Sequence, residues 1–350
     1  MSDRIGAAVL GATGMVGQYF VSLLAQHPWF RLDSVVASER SAGRRYGEAC
    51  RWLLGDHMPE VASDLPVLPL GSELSAPLVF SALPSDVAGA TEVEYAQRGH
   101  YVFSNAGSHR MDPVVPLLVP EVNPEHTALI RAQRRLKGWG GFIITNPNCS
   151  AAALVLALHP LQRQFGLRKV LVSTLQAVSG AGYPGLSSLD ILDNAIPYIG
   201  GEEAKLESEP HKMLGAYRDE AIEPASFVLS AHCNRVATRD GHLECVSVEL
   251  ERQASLEDVA AAFATYRGVP QEYGLPTAPA QPVVVRAEPD RPQTRLDRDV
   301  GNGMTVSVGR LRPCPILGLK FVALGNNTMR GAAGGSVLNA ELLKAQGLLS

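Results

Sequence analysis

The chain lacks any run of about 18 consecutive apolar residues, so no membrane-spanning helix is expected. Its start, MSDRIGAAVLGATG, has only a short apolar stretch before glycines interrupt it, which argues against a secretory leader. Neither sign of charge dominates. The sequence has 31 Lys and Arg against 35 Asp and Glu, a formal net charge of -4 that excludes the basic balance of a nucleic-acid partner. The one basic cluster, Arg131–Lys137, reads as the solvated face of a helix. Cysteine is scarce: Cys50, Cys149, Cys233, Cys245 and Cys314 form no CxxC pair and have no metal-like spacing to histidine, so neither a disulfide framework nor a metal site is expected. Internal repeats and low-complexity linkers are missing too, and the proline-rich stretch Pro276–Pro282 is short enough for a surface loop. A cytoplasmic location is expected.

What is present fits a globular protein. The 350 residues, 46% hydrophobic and 19% charged, suffice for about two ordinary domains. Ile5–Leu10 is a short apolar run followed by Gly11-x-x-Gly14-x-x-Gly17 and an amphipathic stretch, Gln18–Gln26. Strand, glycine turn and helix in that order suit a dinucleotide: glycines allow a tight turn and close backbone approach, and the phosphate meets the helix start. A glycine-rich turn without a nucleotide is the bland alternative. The next strand, Leu32–Ala37, ends in Ser38, Glu39, Arg40 and Ser41. Ser38, Arg40 and Ser41 favour a 2′-phosphate and hence NADP, while Glu39 keeps NAD open. Strands at Leu78–Ala82 and Tyr101–Ser104 around a helix at Ser85–Arg98 continue a parallel α/β pattern.

Phe142–Ile144 reads as a strand, Asn146-Pro147-Asn148 as a turn, and Ser150–His159 as a helix, with Cys149 at the join. A thiol there feels the helix macrodipole, which predicts a lowered pKa and a nucleophile. A small core cysteine is the alternative. Beyond it, strands are expected at Lys169–Ala177, Ala225–Val236, His242–Leu250, Val283–Ala287, Met304–Arg312 and Gly318–Leu324, with helices at Ser255–Tyr266 and Gly335–Gln346. Arg239-Asp240-Gly241 predicts a hairpin joining the second and third of these strands. The second half therefore reads as an α+β unit.

A nucleophilic thiol needs a proton shuttle. His232 neighbours Cys233 in a strand and so points to the opposite face from it. His159 lies roughly 15 Å along the helix from Cys149 at the helical rise. His242, opening a strand on the segment that carries Arg235, is the better candidate, with a surface turn histidine as the alternative.

GATGMVGQ, NPNCS, LQAVSGAG, SEPHKMLG, CNRVATRDGH and NNTMRGAAGG occur in this order across nearly the whole chain. Together they resemble the aspartate-semialdehyde dehydrogenase family, in its archaeal and fungal-type branch. The resemblance implies an N-terminal Rossmann-like parallel-sheet domain (1–148, completed by the C-terminal helix 331–350) and a C-terminal α+β catalytic and dimerisation domain (149–330). It implies NADPH-dependent reductive dephosphorylation of L-aspartyl 4-phosphate, through a cysteine acyl-thioester, by a homodimer or homotetramer. Cys149 would be the nucleophile, His242 the general acid/base and Gln176 the group orienting the acyl function. Arg235 would take the substrate α-carboxylate, Arg110 and Lys212 the phosphate, and Glu209 the ammonium, with Glu202, Glu203 and Lys205 as a second acid-and-base cluster nearby. Gly11, Thr13, Gly14, Met15, Val16, Ser38, Arg40, Ser41, Ser179, Gly180 and Asn327 would hold the cofactor. Asn326 stands where related chains often have histidine. The helix start at Cys149 is expected to supply oxyanion donors. Reduction of an acyl-CoA thioester such as malonyl-CoA is the near alternative, and a non-catalytic dinucleotide-binding redox sensor is the distant one.

Overall fold

The computed structural model describes residues 4–55 and 57–349, so the first three residues of the start read against a leader lie outside it. Strands β1 (Ile5–Leu10), β2 (Phe30–Ala37), β3 (Val67–Pro69), β4 (Leu78–Ser81), β5 (Tyr101–Ser104) and β6 (Phe142–Thr145) form one parallel sheet. Its order is β3-β2-β1-β4-β5-β6, so the chain winds outward from β1 in both directions. The strands β4 and β6 are buried along their whole length because helices cover both faces, which is why they read as uninterrupted apolar runs. The helix Ser85–Gln97 supplies Ala88, Tyr95 and Ala96 to the core on one face. On the other face, the helix Met15–Ala25 packs with the last helix, Gly334–Ala345, through Phe20, Val21 and Leu24 and through Val337, Leu338 and Leu342. Chain ends far apart in sequence thus share one core. β3, only three residues long, has too little pattern to be anticipated.

The second sheet contains β7 (Leu167–Gln176), β8 (Ala195–Ile196), β11 (Val228–Val236), β12 (His242–Leu250), β13 (Val283–Arg286), β14 (Val306–Cys314) and β15 (Gly318–Gly325). β9 (Ala216–Arg218) and β10 (Ala221–Glu223) form a small separate hairpin. The order β13-β14-β15-β12-β7-β11-β8 corrects one expectation: β11 and β12 are not a hairpin. β7 lies between them, parallel to β11 and antiparallel to β12. The segment 237–241 crosses the end of β7, where the N–H groups of Val178 and Ser179 donate to the carbonyls of Thr238 (2.8 Å) and Arg239 (3.1 Å). The turn signal was read correctly as a reversal, but the pairing partner, β7, comes from far upstream, Gln176 for Arg235 and Leu175 for Leu243, which a local pattern does not carry.

This intercalation makes the site. Gln176 pairs with Arg235 across β7 and β11, and Leu243 pairs with Leu175 across β12 and β7, which brings His242 level with Gln176. Three side chains from three strands therefore stand at one sheet end, on the face covered by the helix Cys149–Phe165. That helix runs past Pro160, and its Ala153, Leu154 and Leu158 enter the second core. Burial on that scale outweighs the hydrogen bond a mid-helix proline removes.

Candidate active site

Asn148 is the N-cap of the cysteine helix, and its Oδ1 accepts from the N–H groups of Ser150 (3.0 Å) and Ala151 (3.1 Å). Asn148 is held in turn by the helix Glu202–Met213. Its N–H donates to Glu209 Oε2 (2.6 Å), and its Nδ2 donates to Glu202 Oε1 (2.7 Å). Two buried carboxylates thus fix the residue that precedes Cys149. Of the expected oxyanion donors, the Ser150 and Ala151 N–H groups are taken by the cap, which leaves the Cys149 N–H at the first helical position.

Cys149 Sγ lies 3.1 Å from His242 Nε2, and the Ala177 N–H donates to His242 Nδ1 at 3.1 Å. Gly180 closes the space above: a Cβ there would stand 2.8 Å from Arg235 Nη1 and 3.3 Å from His242 Cε1. Arg235, buried, donates from Nη1 to the Ala177 carbonyl (2.6 Å). Gln176 is buried beside them, with Nε2 donating to Thr174 Oγ1 (3.2 Å). Burial pushes the Cys149 thiol up to about 12, with the Glu202 carboxylate adding to it and Arg110 and Arg235 opposing it. The lowered value expected from the helix position is therefore corrected: desolvation outweighs the field of the helix. Burial, then the Arg235 charge, holds the His242 imidazole down at about 3. At neutral pH the pair is a thiol and a neutral imidazole.

The remaining polar residues divide clearly. Arg110 donates from Nη1 to Glu209 Oε1 (2.9 Å) and from Nη2 to the Asn105 carbonyl (2.8 Å), while its buried Nε has no partner. Lys212 Nζ donates to three backbone carbonyls, those of Arg110 (2.7 Å), Asp112 (2.8 Å) and Val115 (2.7 Å). An ammonium has three protons, so Lys212 has none left for a phosphate; it holds the segment that presents Arg110. This corrects its expected role. Glu203 Oε1 accepts from the Cys233 N–H (3.1 Å), which makes it a support for β11.

On the cofactor side, Gly11 has φ +73, and a Cβ there would stand 2.7 Å from the Ala82 carbonyl oxygen, so the turn requires glycine. No side chain caps the start of the helix at Gly14 and Met15, and no acidic residue occupies its first turn, with Thr13 and Val16 beside it. That leaves an anion-binding helix start. A cleft of about 660 Å³ runs from Met15 and Tyr19 to Ser179, Arg239 and Met329. Ser38 and Arg40 are exposed and Ser41 half-buried at the end of β2. Asn327 Oδ1 accepts from the Gly241 N–H (2.8 Å), and its Nδ2 donates to Ser179 Oγ (2.8 Å), so it ties together the two loops around His242. Asn326, whose role the sequence left open, caps the next turn: its Oδ1 accepts from the N–H groups of Thr328 and Met329, both at 3.0 Å. Sequence reasoning named Glu202 only within a second acid-and-base cluster, and it missed the Asn148 cap and the packing of Gly331 on Cys149. The Asn-Cys-Ser order before an apolar helix did carry the cap signal.

Among the described residues no group of three or more His, Cys, Asp or Glu could hold a metal ion, and no helix is long and apolar enough to cross a membrane.

A dinucleotide-type sheet joined to a mixed sheet, with a cysteine and a histidine in contact where they meet, defines a semialdehyde-dehydrogenase-type oxidoreductase. Residues 6–130 match the semialdehyde dehydrogenase NAD-binding domain, and 158–330 match the semialdehyde dehydrogenase dimerisation domain. The chain is 52% identical to the aspartate-semialdehyde dehydrogenase of Archaeoglobus fulgidus, over 97% of this chain and 98% of that one. It superimposes on the crystal structure of the Candida albicans aspartate-semialdehyde dehydrogenase with NADP at a TM-score of 0.91 and 42% identity, covering 99% of this chain and 100% of that one. A malonyl-CoA reductase (NADP) from Metallosphaera sedula is 40% identical over 100% of this chain and 99% of its own. The chain belongs to the aspartate-semialdehyde dehydrogenase family.

Proposed function

We propose that the protein catalyses the NADPH-dependent reductive dephosphorylation of L-aspartyl 4-phosphate to L-aspartate 4-semialdehyde, a step towards lysine, methionine and threonine. The observation that carries this reading is the 3.1 Å contact of Cys149 Sγ with His242 Nε2, beside Arg235 and Gln176 at one sheet end. Cys149 attacks the acyl carbon, a C–S bond forms, and phosphate leaves. Bound NADPH supplies the hydride that reduces the thioester. Gly11, Thr13, Gly14, Met15 and Val16 hold its pyrophosphate, Ser38, Arg40 and Ser41 its 2′-phosphate, and Ser179, Gly180 and Asn327 its nicotinamide side; NAD is the weaker cofactor.

Arg235 takes the substrate α-carboxylate with the guanidinium edge that Ala177 leaves open. Arg110 takes the phosphate, supported by its buried, partnerless Nε, since an orphan donor there would be satisfied by an anionic oxygen. Glu209 takes the ammonium: each of its oxygens accepts one hydrogen bond, which leaves lone pairs free. Gln176 orients the acyl group. Acyl-CoA reduction is favoured by no observation here, because identity to the malonyl-CoA reductase is lower, at 40% against 52%.

We divide the chain into a cofactor domain (1–148 with 331–350) and a catalytic and dimerisation domain (149–330), and we assign a cytoplasmic homodimer or homotetramer. The test of the activity is the reverse reaction. L-aspartate semialdehyde with phosphate should reduce NADP, and NAD more weakly; no phosphate-dependent reduction of either cofactor overturns the reading.

A further inference from the structure

Strands β5 and β6 end level with each other, since Ser104 pairs with Thr145, and each is followed by an asparagine. With Asn339 of the last helix, Asn105 and Asn146 form a directed chain of amides. Asn339 Nδ2 donates to Asn146 Oδ1 (2.7 Å), and Asn146 Nδ2 donates to Asn105 Oδ1 (3.0 Å). Asn105 Nδ2 in turn donates to the Ser81 carbonyl (3.1 Å) and to Ser336 Oγ (3.3 Å). Asn146 also donates from Nδ2 to the Ala332 carbonyl (2.7 Å). The carbonyls of Ala332 and Ser81 can only accept, so they fix which end of each amide faces which neighbour. Asn146 must then present its oxygen to Asn339. Both far ends of the chain lead to the active site. The Asn105 carbonyl accepts from Arg110 Nη2 (2.8 Å), and Ala332 follows Gly331, whose backbone packs on Cys149.

We propose that Asn339 is a positioning residue for the phosphate step: through Asn146 and Asn105 it sets the place of the Arg110 guanidinium relative to the Cys149 sulfur. Asn339 and Asn146 are buried, so a lost partner is not replaced by bulk water. The Oδ1 of Asn339 has no partner, which leaves its single donated bond as the polar work of the side chain. A leucine would fill the same space without burying an unpaired oxygen, so the amide is explained by the bond it gives and not by its volume. Without that donor, Asn146 Oδ1 stands unpaired in the interior. Its amide then has no fixed direction, and the bonds to Asn105 and Ala332 that hold the Arg110 anchor and the turn before Cys149 weaken together. Asn339 reaches the reacting atoms only through these neighbours.

This inference rests on the acyl-phosphate reading above, and the reverse reaction separates the failure of one from the failure of the other. With L-aspartate semialdehyde and NADP but no phosphate, the thiol adds to the aldehyde, hydride passes to NADP, and a thioester stays on Cys149. That burst of NADPH does not use Arg110. Added phosphate then attacks the thioester carbon, and the C–S bond breaks. Asn339→Leu and Asn339→Ala should both lower kcat/KM for phosphate by about tenfold or more, while the burst rate falls by less than about threefold and KM for NADP keeps the parent value. In an Arg110→Lys background, Asn339→Leu should add less than about threefold, because both changes act through one guanidinium. A space-filling role predicts the opposite pattern, with leucine like asparagine and only alanine impaired. Parent-like phosphate kinetics in folded Asn339→Leu protein, an equal fall in the burst and the phosphate step, or full additivity with Arg110→Lys overturns the proposal. No phosphate-dependent turnover by the parent protein overturns the acyl-phosphate reading instead.

Discussion

A side-chain carbon on Gly331 would stand 2.6 Å from Cys149 Cβ and 2.8 Å from its Cα. The π-helical turn Met329–Ala333 therefore lays bare backbone directly against Cys149. Such single-turn π segments recur at functional sites, and this one links the last helix to Cys149. Gly331→Ala should keep the fold but displace Cys149 from His242. Overpacking of this kind costs about 1–3 kcal/mol, so a modest fall in melting temperature should accompany a loss of activity of 100-fold or more, about 2.7 kcal/mol on the barrier. Unchanged kcat would contradict the packing argument.

Arg235 already uses one nitrogen on the Ala177 carbonyl. Lysine at this position cannot hold that carbonyl and a carboxylate in one plane. Arg235→Lys should raise KM for L-aspartate semialdehyde and lower kcat/KM by about 10- to 100-fold, the worth of one or two charged hydrogen bonds. A steady-state comparison at saturating NADP and phosphate measures it.

Arg40 is exposed at the end of β2 and makes no ion pair or hydrogen bond within the described residues. Arg40→Ala should raise KM for NADP by about tenfold or more while leaving NAD kinetics nearly unchanged. An equal effect on both cofactors would place the arginine elsewhere than at the 2′-phosphate.

Three imidazoles held below their usual range weaken the fold as the pH falls. Burial lowers His126 to about 4, His159 to about 4 and His242 to about 3. Each folded value lies below the unfolded value of about 6.5, so between those values the unfolded chain binds protons that the folded chain refuses. The share of stability owed to these imidazoles should therefore fall as pH drops from 6.5 towards 4, while the buried carboxyls of Glu92, raised to about 7, and Glu244, raised well above its usual range, take up protons in the folded chain first and oppose it. Between pH 7 and pH 5 the urea midpoint should shift more favourably in His159→Gln than in the parent protein; identical pH profiles would contradict the assignment.

Burial holds the Cys149 thiol high, near 12, in the free protein. Alkylation by iodoacetamide should consequently be slow at pH 7 and climb about tenfold per pH unit to pH 9, because the thiolate is the reactive form. A plateau with a midpoint near pH 6 would mean a preformed thiolate–imidazolium pair.

Much of this was legible in the sequence where the cause is local. β1, β4 and β5 announce themselves as short apolar runs, and Gly11 is needed by its own backbone angle. The place of Cys149 at a helix start was equally clear. What failed was set by tertiary partners. β7 inserts between β11 and β12 by long-range pairing, so the turn before His242 looked like a hairpin. Lys212 carries phosphate-binding chemistry in the abstract, but three carbonyls from 110–115 surround it in the fold. The thiol was read from the helix field alone, and the burial that reverses its direction comes from elements distant in sequence.

The central claim is that Cys149 carries the acyl group. Incubating the protein with L-aspartyl 4-phosphate in the absence of NADPH, followed by acid quenching and peptide mass spectrometry, tests it most directly. The account predicts one aspartyl adduct, on the peptide containing Cys149 and absent from Cys149→Ala; no adduct, or an adduct on another residue, would contradict it.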